Sequence, residues 1–148
     1  QTYNPNTRDT KVFGLNNLGD GYTKAKWYNL IKFISKNILN TYQRDINHTE
    51  PIYQEISTIE ILKYKEKGFF NFHVDHCYKI PRSLSISFLI NDDYEGGELE
   101  FENSVTKKNL LIPTTSNTMI VFPSNLCYRH RVRPVKSGER YSVVIWAL

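Results

Sequence analysis

Cysteine is scarce in this sequence: Cys77 and Cys127 are the only two among 148 residues. Two thiols cannot build the disulfide framework of a small secreted scaffold. Free thiols and a cytoplasmic location are the expectation. Methionine is scarcer, with Met119 alone, and the chain opens on Gln1, so it reads as a trimmed or processed form. The opening residues lack the charged, apolar and small-residue order of a signal peptide. No apolar run approaches the ~18 residues of a membrane span. Repeats, low-complexity tracts and linkers are also missing. Neither sign of charge dominates: 19 Lys and Arg against 15 Asp and Glu leave +4. That excess helps attract an acidic partner and does not by itself imply nucleic acid.

Aromatics are plentiful at 14%, ten of them Tyr, and hydrophobic residues make up 40%. Such a composition folds, and the length is that of one domain over 1–148. Two regions differ in character. Residues 1–54 read as support, with a short strand over Thr10 to Leu15 and a helix over 24–42. Trp27, Leu30, Ile31, Ile34 and Ile38 recur at the spacing of one buried helical face, and Thr23 is placed to cap it. A second helix is left open. Residues 55–148 read as a core of short strands: Glu55 to Tyr64, Phe69 to Asp75, Arg82 to Ile90, Glu98 to Phe101, Asn109 to Ile112, Thr118 to Phe122, Tyr128 to Arg133 and Arg140 to Trp146. Pro113, Pro123, Pro134 and Gly138 punctuate them. The expected fold is mainly β, a double-stranded β-helix (jelly roll) with one or two N-terminal helices packed on one sheet.

Three groups carry chemistry. In His73-Val74-Asp75, strand alternation sends the imidazole and the carboxylate to one face, about 6–7 Å apart at Cα. Both can reach one metal ion, although two polar residues on a surface strand are the blander reading. His130, flanked by Arg129, Arg131 and Arg133, shares its face with Val132. If the arginines take the solvent, it points inward, as a core histidine or as a third ligand. Two His and one carboxylate are the ligand set of non-haem Fe(II) oxygenases. Arg140 and Ser142 share a face with Val144 and Trp146. An inward guanidinium needs an anion, either a bidentate carboxylate ligand beside the Ser hydroxyl or an internal Glu or Asp.

Taken together, these stretches resemble the 2-oxoglutarate- and Fe(II)-dependent dioxygenases of the prolyl 4-hydroxylase-like branch. YKEKGFFNFHVD (Tyr64 to Asp75) resembles the Tyr–Gly–aromatic–HxD strand pair. RSLSISFLINDDYEGGELEF (Arg82 to Phe101) resembles the central strand and Gly-Gly turn, and FPSNLCYRHRVRPVKSGERYS (Phe122 to Ser142) the distal His and Arg-x-Ser anchor. VVIWAL (Val143 to Leu148) looks like the closing strand. The resemblance implies that His73, Asp75 and His130 hold Fe(II). It implies that Arg140 binds the distal carboxylate of 2-oxoglutarate with Ser142 and Tyr64, and that Trp146 lines the pocket. O₂ is the oxidant, succinate and CO₂ are by-products, and ascorbate is a reductant. The implied substrate is a prolyl residue in a protein or peptide, and a monomer is expected. Another side chain, a free amino acid or an alkylated nucleobase stay open, the last weakest for want of a platform for bases. So does a catalytically silent jelly-roll binding module. Two positions depart from the pattern: Phe70, where many prolyl hydroxylases have Tyr, and Leu89, where the animal oxygen-sensing enzymes use Tyr.

The remaining candidates read blandly. His76 alternates away from Asp75, and His48 sits in a polar loop. Arg129, Arg131, Arg133 and Lys136 make a solvated stripe, or else a surface for an acidic peptide. Asp92, Asp93 and Glu95 lack the spacing of a calcium loop and read as a turn.

Overall fold

The computed structural model describes residues 6–16, 21–103, 105–106 and 108–148. Its elements run β1 (Arg8–Asp9), β2 (Lys11–Gly14), α1 (Tyr22–Asp45), β3 (Ile56–Tyr64), β4 (Phe69–His73), β5 (Leu84–Leu89), β6 (Glu95–Gly96), β7 (Leu99–Phe101), β8 (Leu110–Ile112), β9 (Thr118–Pro123), β10 (His130–Val132), β11 (Val135–Ser137) and β12 (Arg140–Ala147). The strands form two facing antiparallel sheets, β2-β3-β12-β5-β9 and β1-β4-β10-β7-β8, with β11 and β6 paired at one end. This is the jelly roll that the strand spacing predicts.

β12 shows why the site lies between the sheets. Its eight residues alternate between two buried faces. Val143, Ile145 and Ala147 turn toward Ile59, Ile86 and Leu39 of α1, in the main apolar cluster. Arg140, Ser142, Val144 and Trp146 turn the other way, into a cavity between the sheets. The register carries the same division to its neighbours: Arg140 pairs with Tyr64 and Ser142 with Leu62 on β3, and Trp146 with Ser85 on β5. One sheet therefore buries hydrocarbon on the helix side and presents polar groups on the other.

The helix docks by only part of its predicted face, Ile31 and Ile38. Trp27, Leu30 and Ile34 are 51%, 41% and 36% exposed, whereas Ser35 and Leu39 are fully buried. Tyr28, Ile31, Ile38 and Tyr42 pack beside Leu39 on the sheet. Both stripes have helical spacing. Hydropathy favours the wrong one, because the docked stripe contains a serine and two tyrosines. Thr23 is not the cap either: the helix starts at Tyr22, Gly21 precedes it, and no side chain caps it. At the other end the N–H groups of Ile46 and Asn47 close on Tyr42 and Arg44 carbonyls. Asn47 takes the left-handed conformation (φ 53) that ends helices.

No second α-helix occurs among the described residues; a 3₁₀ turn spans Leu126–Tyr128 instead. It takes the place of the start of the predicted Tyr128–Arg133 strand. Asn125 Oδ1 accepts the Cys127 N–H and winds the chain before β10 begins. Ile90 lies past the end of β5 and is exposed, so the apolar face of that strand stops at Phe88. Among the described residues, no helix is long and apolar enough to cross a membrane.

Candidate active site

Antiparallel pairing of β4 with β10 sets His73 opposite His130, and Asp75 follows two residues past His73. Ligand atoms of His73, Asp75 and His130 lie within 4.8 Å of one another. His73 Nε2 is 3.5 Å from Asp75 Oδ1 and His130 Nε2 is 3.7 Å from Oδ2. Each imidazole has Nδ1 at a backbone carbonyl, 2.8 Å from Asn71 O for His73 and 2.9 Å from Tyr128 O for His130. Those carbonyls hold the Nδ1 protons, which leaves the Nε2 lone pairs directed at the shared space. Histidines that bind metals are oriented in this way.

The surroundings favour an ionised Asp75 and a neutral His130. Burial alone would raise the Asp75 pKa. The His73 and His130 imidazoles that face it, together with the Ser85 hydroxyl, outweigh it and hold the carboxyl well below the carboxylate range. Ser85 Oγ donates to Asp75 Oδ2 at 2.7 Å and lies 2.7 Å from Ser124 Oγ. Burial pushes the His130 pKa down, with His73 in the same sense, against the opposing pull of Asp75. A neutral imidazole is the form that ligates. Phe122 packs edge-on against His130 at 4.9 Å, and Phe101 tilts against it at 5.5 Å.

The second part of the cavity is built around a buried arginine. Arg140 is 1% exposed. Its Nη1 donates to Ser142 Oγ at 2.7 Å, while Nε is buried with no hydrogen-bond partner. The hydroxyls of Tyr64 and Tyr94 are likewise buried and unpartnered. Burial raises the pKa of both phenols, against the nearby Arg140 charge. Such groups are costly unless something completes them. A carboxylate would accept from the free guanidinium edge and from the phenols together. The residues therefore fit a chelated divalent metal at one end of the cavity and a carboxylate of a small acid at the other. The cavity has a volume of about 40 Å³ and opens to solvent.

Every predicted site residue lines this cavity: His73, Asp75 and His130 on the metal side, Tyr64, Arg140 and Ser142 at the anion end, and Trp146 between. Sequence reasoning missed four residues. Ser85 bonds Asp75, Tyr94 nears Arg140, Arg8 enters from β1, and Arg82 lies 3.8 Å over the Trp146 ring while donating to the Asp75 carbonyl at 3.2 Å. Only Ser85 had a signal: Ser85 and Ser87 share the face opposite Leu84 and Ile86, and two serines turned inward mark a polar interior.

The other candidates stay outside. His76 is exposed, with Nδ1 3.0 Å from Arg82 O. His48 is exposed in its loop. Arg131 and Arg133 pair with Glu100, and Arg129 with Glu102. Arg129 and Arg131 also lie over Phe72, so three of the four stripe residues are engaged by two carboxylates and a ring on the outer face. Asp92 accepts from Ser116, as a turn residue does. Cys77 and Cys127 are free and exposed.

Residues 59–148 match the family model of the 2OG-Fe(II) oxygenase superfamily. A PKHD-type hydroxylase of Pseudomonas fluorescens is 30% identical over 93 residues, 56% of this chain and 39% of its own length. A PKHD-type hydroxylase of Hyphomonas neptunium is 42% identical over 70 residues, 46% of this chain and 30% of its own. The chain thus spans about two fifths of the length of the first of these curated relatives, or less. In fold it is similar to a Pseudomonas putida prolyl-4-hydroxylase, with TM-score 0.74 and 15% identity over 97% of this chain and 73% of that one. A prolyl hydroxylase from Trichoplax adhaerens, in complex with a hypoxia inducible factor peptide fragment, gives TM-score 0.73 and 17% identity over 96% of this chain and 64% of that one. The family match covers the strands that carry the His-Asp-His cluster and the buried arginine, and by it the chain belongs to the 2OG-Fe(II) oxygenase superfamily.

Proposed function

We propose that this enzyme hydroxylates a prolyl residue in a protein or peptide, with His73, Asp75 and His130 holding Fe(II) and with Arg140, Ser142 and Tyr64 binding the distal carboxylate of 2-oxoglutarate. The observation that carries the reading is a buried guanidinium without a counter-charge in the same cavity as the His-Asp-His cluster. A binding module has no use for both. When bound, Fe(II) and 2-oxoglutarate supply the oxidising power, with O₂ consumed and succinate and CO₂ released. The chain's own residues do the rest. The two imidazoles and one carboxylate leave part of a metal's coordination sphere open. Arg140 fixes the far end of the cosubstrate so that its keto acid end reaches the metal. Phe101 and Phe122 exclude water behind His130. The prolyl substrate is supported by the similarity in fold to two prolyl hydroxylases, one of them in complex with a peptide.

The test is an anaerobic titration with Fe(II) and 2-oxoglutarate that follows the visible metal-to-ligand charge-transfer band. The band forms in the native protein, His73→Ala abolishes it, and Arg140→Ala shifts it to higher 2-oxoglutarate concentration. Turnover of Pro-containing peptides, read as mass gain of one oxygen, tests the substrate. No band at saturating metal would overturn the assignment and leave a jelly-roll binding module.

A further inference from the structure

We propose that Arg8 and Phe70 form a clamp that sets the plane of the His73 ring, Arg8 acting as a positioning residue for the metal site. The inference rests on the metal-ligand role of His73 proposed above. The two histidines are held differently. His130 is wedged between Phe101 and Phe122 and is 5% exposed. The His73 side chain is 18% exposed, and its one hydrogen bond goes to Asn71 of its own strand. That bond fixes the tautomer but leaves the ring free to swing about it.

Phe70 removes that freedom. Its ring lies 3.6 Å from the imidazole, centroid to centroid, at an interplanar angle of 13°. Residues three apart on a regular strand point to opposite faces. Here they share one, because the register slips between His130↔His73 and Val132↔Phe70: β4 spends three residues where β10 spends two. This bulge turns Phe70 inward, and bulges beside active sites commonly re-aim a side chain in this way. Arg8 completes the stack. β1 pairs Arg8 directly with Phe70, and its guanidinium lies over the Phe70 ring at 5.0 Å. The cation is attracted by the ring face, and it lines the cavity from a strand that lies before residue 59, where the family match begins.

Co(II) binding to the metal-free protein tests the clamp without turnover. Groups that orient a metal-binding His typically change metal affinity about 10–100-fold. Phe70→Leu is expected to weaken Co(II) binding by about that range, and Arg8→Met by about tenfold at the lower end of it. Both should alter the visible ligand-field bands, which report ligand geometry. Phe70→Tyr, which keeps the ring, should restore affinity and spectrum. Wild-type affinity with unchanged bands in Arg8→Met and Phe70→Leu would overturn the clamp. Absence of Co(II) binding by the wild-type protein would overturn the metal site itself. Should Phe70→Leu not fold, by far-ultraviolet circular dichroism, Arg8→Met and Phe70→Tyr decide the question.

Discussion

Tyr64 and Arg140 face each other across the β3–β12 ladder, both essentially without solvent contact, and neither the Tyr64 hydroxyl nor Arg140 Nε has a hydrogen-bond partner. The guanidinium carbon sits 5.2 Å from the Tyr64 ring centre, so the ring face and the Ser142 hydroxyl partly compensate the buried charge. Folding the unliganded protein therefore works against this pair, and binding an acid relieves it. Arg140→Met should leave the unliganded melting temperature unchanged or higher, because it removes a buried charge that has no ion-pair partner among the described residues. The same change should abolish the rise in melting temperature that 2-oxoglutarate gives the native protein. Hydrogen bonds to charged groups are worth about 1.5–3 kcal/mol, so affinity should fall roughly 10–100-fold. Scanning calorimetry with and without 2-oxoglutarate checks both halves. A variant that melts several degrees lower yet keeps its ligand response would make Arg140 a structural residue.

Ser85 should matter to metal affinity more than its size suggests. Its hydroxyl donates to Asp75 Oδ2 and lies within hydrogen-bonding distance of Ser124, all three being buried. Ser85→Ala frees the carboxylate to rotate and leaves Ser124 short of a partner. The expected result is about tenfold weaker metal binding, with about 1 kcal/mol lost from stability. Competition with a metal-sensitive dye measures the first and urea denaturation the second. Unchanged metal affinity would show that the histidines alone fix Asp75.

The strands and the chemistry were legible in the sequence for one reason: both depend on period two. The alternation that reads Arg140, Ser142 and Trp146 onto one face also predicts that Arg129, Arg131 and Arg133 leave His130 to point inward, and the structure has both. What was illegible depends on tertiary choice. The helix had two stripes of equal spacing, and the sheet selected the less hydrophobic one, where Ser35 is small enough to fit fully buried. The inward turn of Phe70 comes from a bulge, which no local pattern announces. Arg8 reaches the site by pairing across some sixty residues of chain, and nothing in a two-residue strand signals that.

Glu100 gives a pH dependence with a defined sign. Burial would raise its pKa. Hydrogen bonds from Arg131 and Asn109 and the charges of Arg131 and Arg133 more than offset this and hold it below the usual value of 4.5. The folded state thus binds the Glu100 proton less tightly than the unfolded chain does. Its contribution is fully present above pH 4.5 and is lost as the pH falls through the depressed folded value. Glu100→Gln should cost about 1–2 kcal/mol at neutral pH. It should also flatten the acid limb of the stability curve below about pH 4.5, since the carboxyl that titrates is gone. Chemical denaturation from pH 7 to pH 3 checks this. An acid limb as steep in the variant as in the native protein would assign the titration to other carboxyls.

The Gly-Gly turn separates stability from cosubstrate binding within two adjacent residues. Gly96 and Gly97 both lie in the left-handed region, at φ 75 and φ 64. A side chain there costs about 1–2 kcal/mol in either case. What each Cβ would meet differs. At Gly96 it would lie 2.5 Å from the Pro134 carbonyl oxygen and 2.9 Å from the Lys136 nitrogen, and this backbone, held by the β6–β11 pairing, cannot give way cheaply. At Gly97 it would lie 3.0 Å from Arg140 Cδ and 3.1 Å from Val135 Cγ2, side-chain atoms, the first on the flexible stem that carries the guanidinium. Gly96→Ala should therefore lose more stability than Gly97→Ala. Gly97→Ala should displace the guanidinium and weaken 2-oxoglutarate binding several-fold, because charge-assisted bidentate pairing depends on geometry. Melting temperature and 2-oxoglutarate affinity, measured on both variants, should rank them in opposite orders. A single order in both measurements would mean that the turn acts on the cavity only through overall stability.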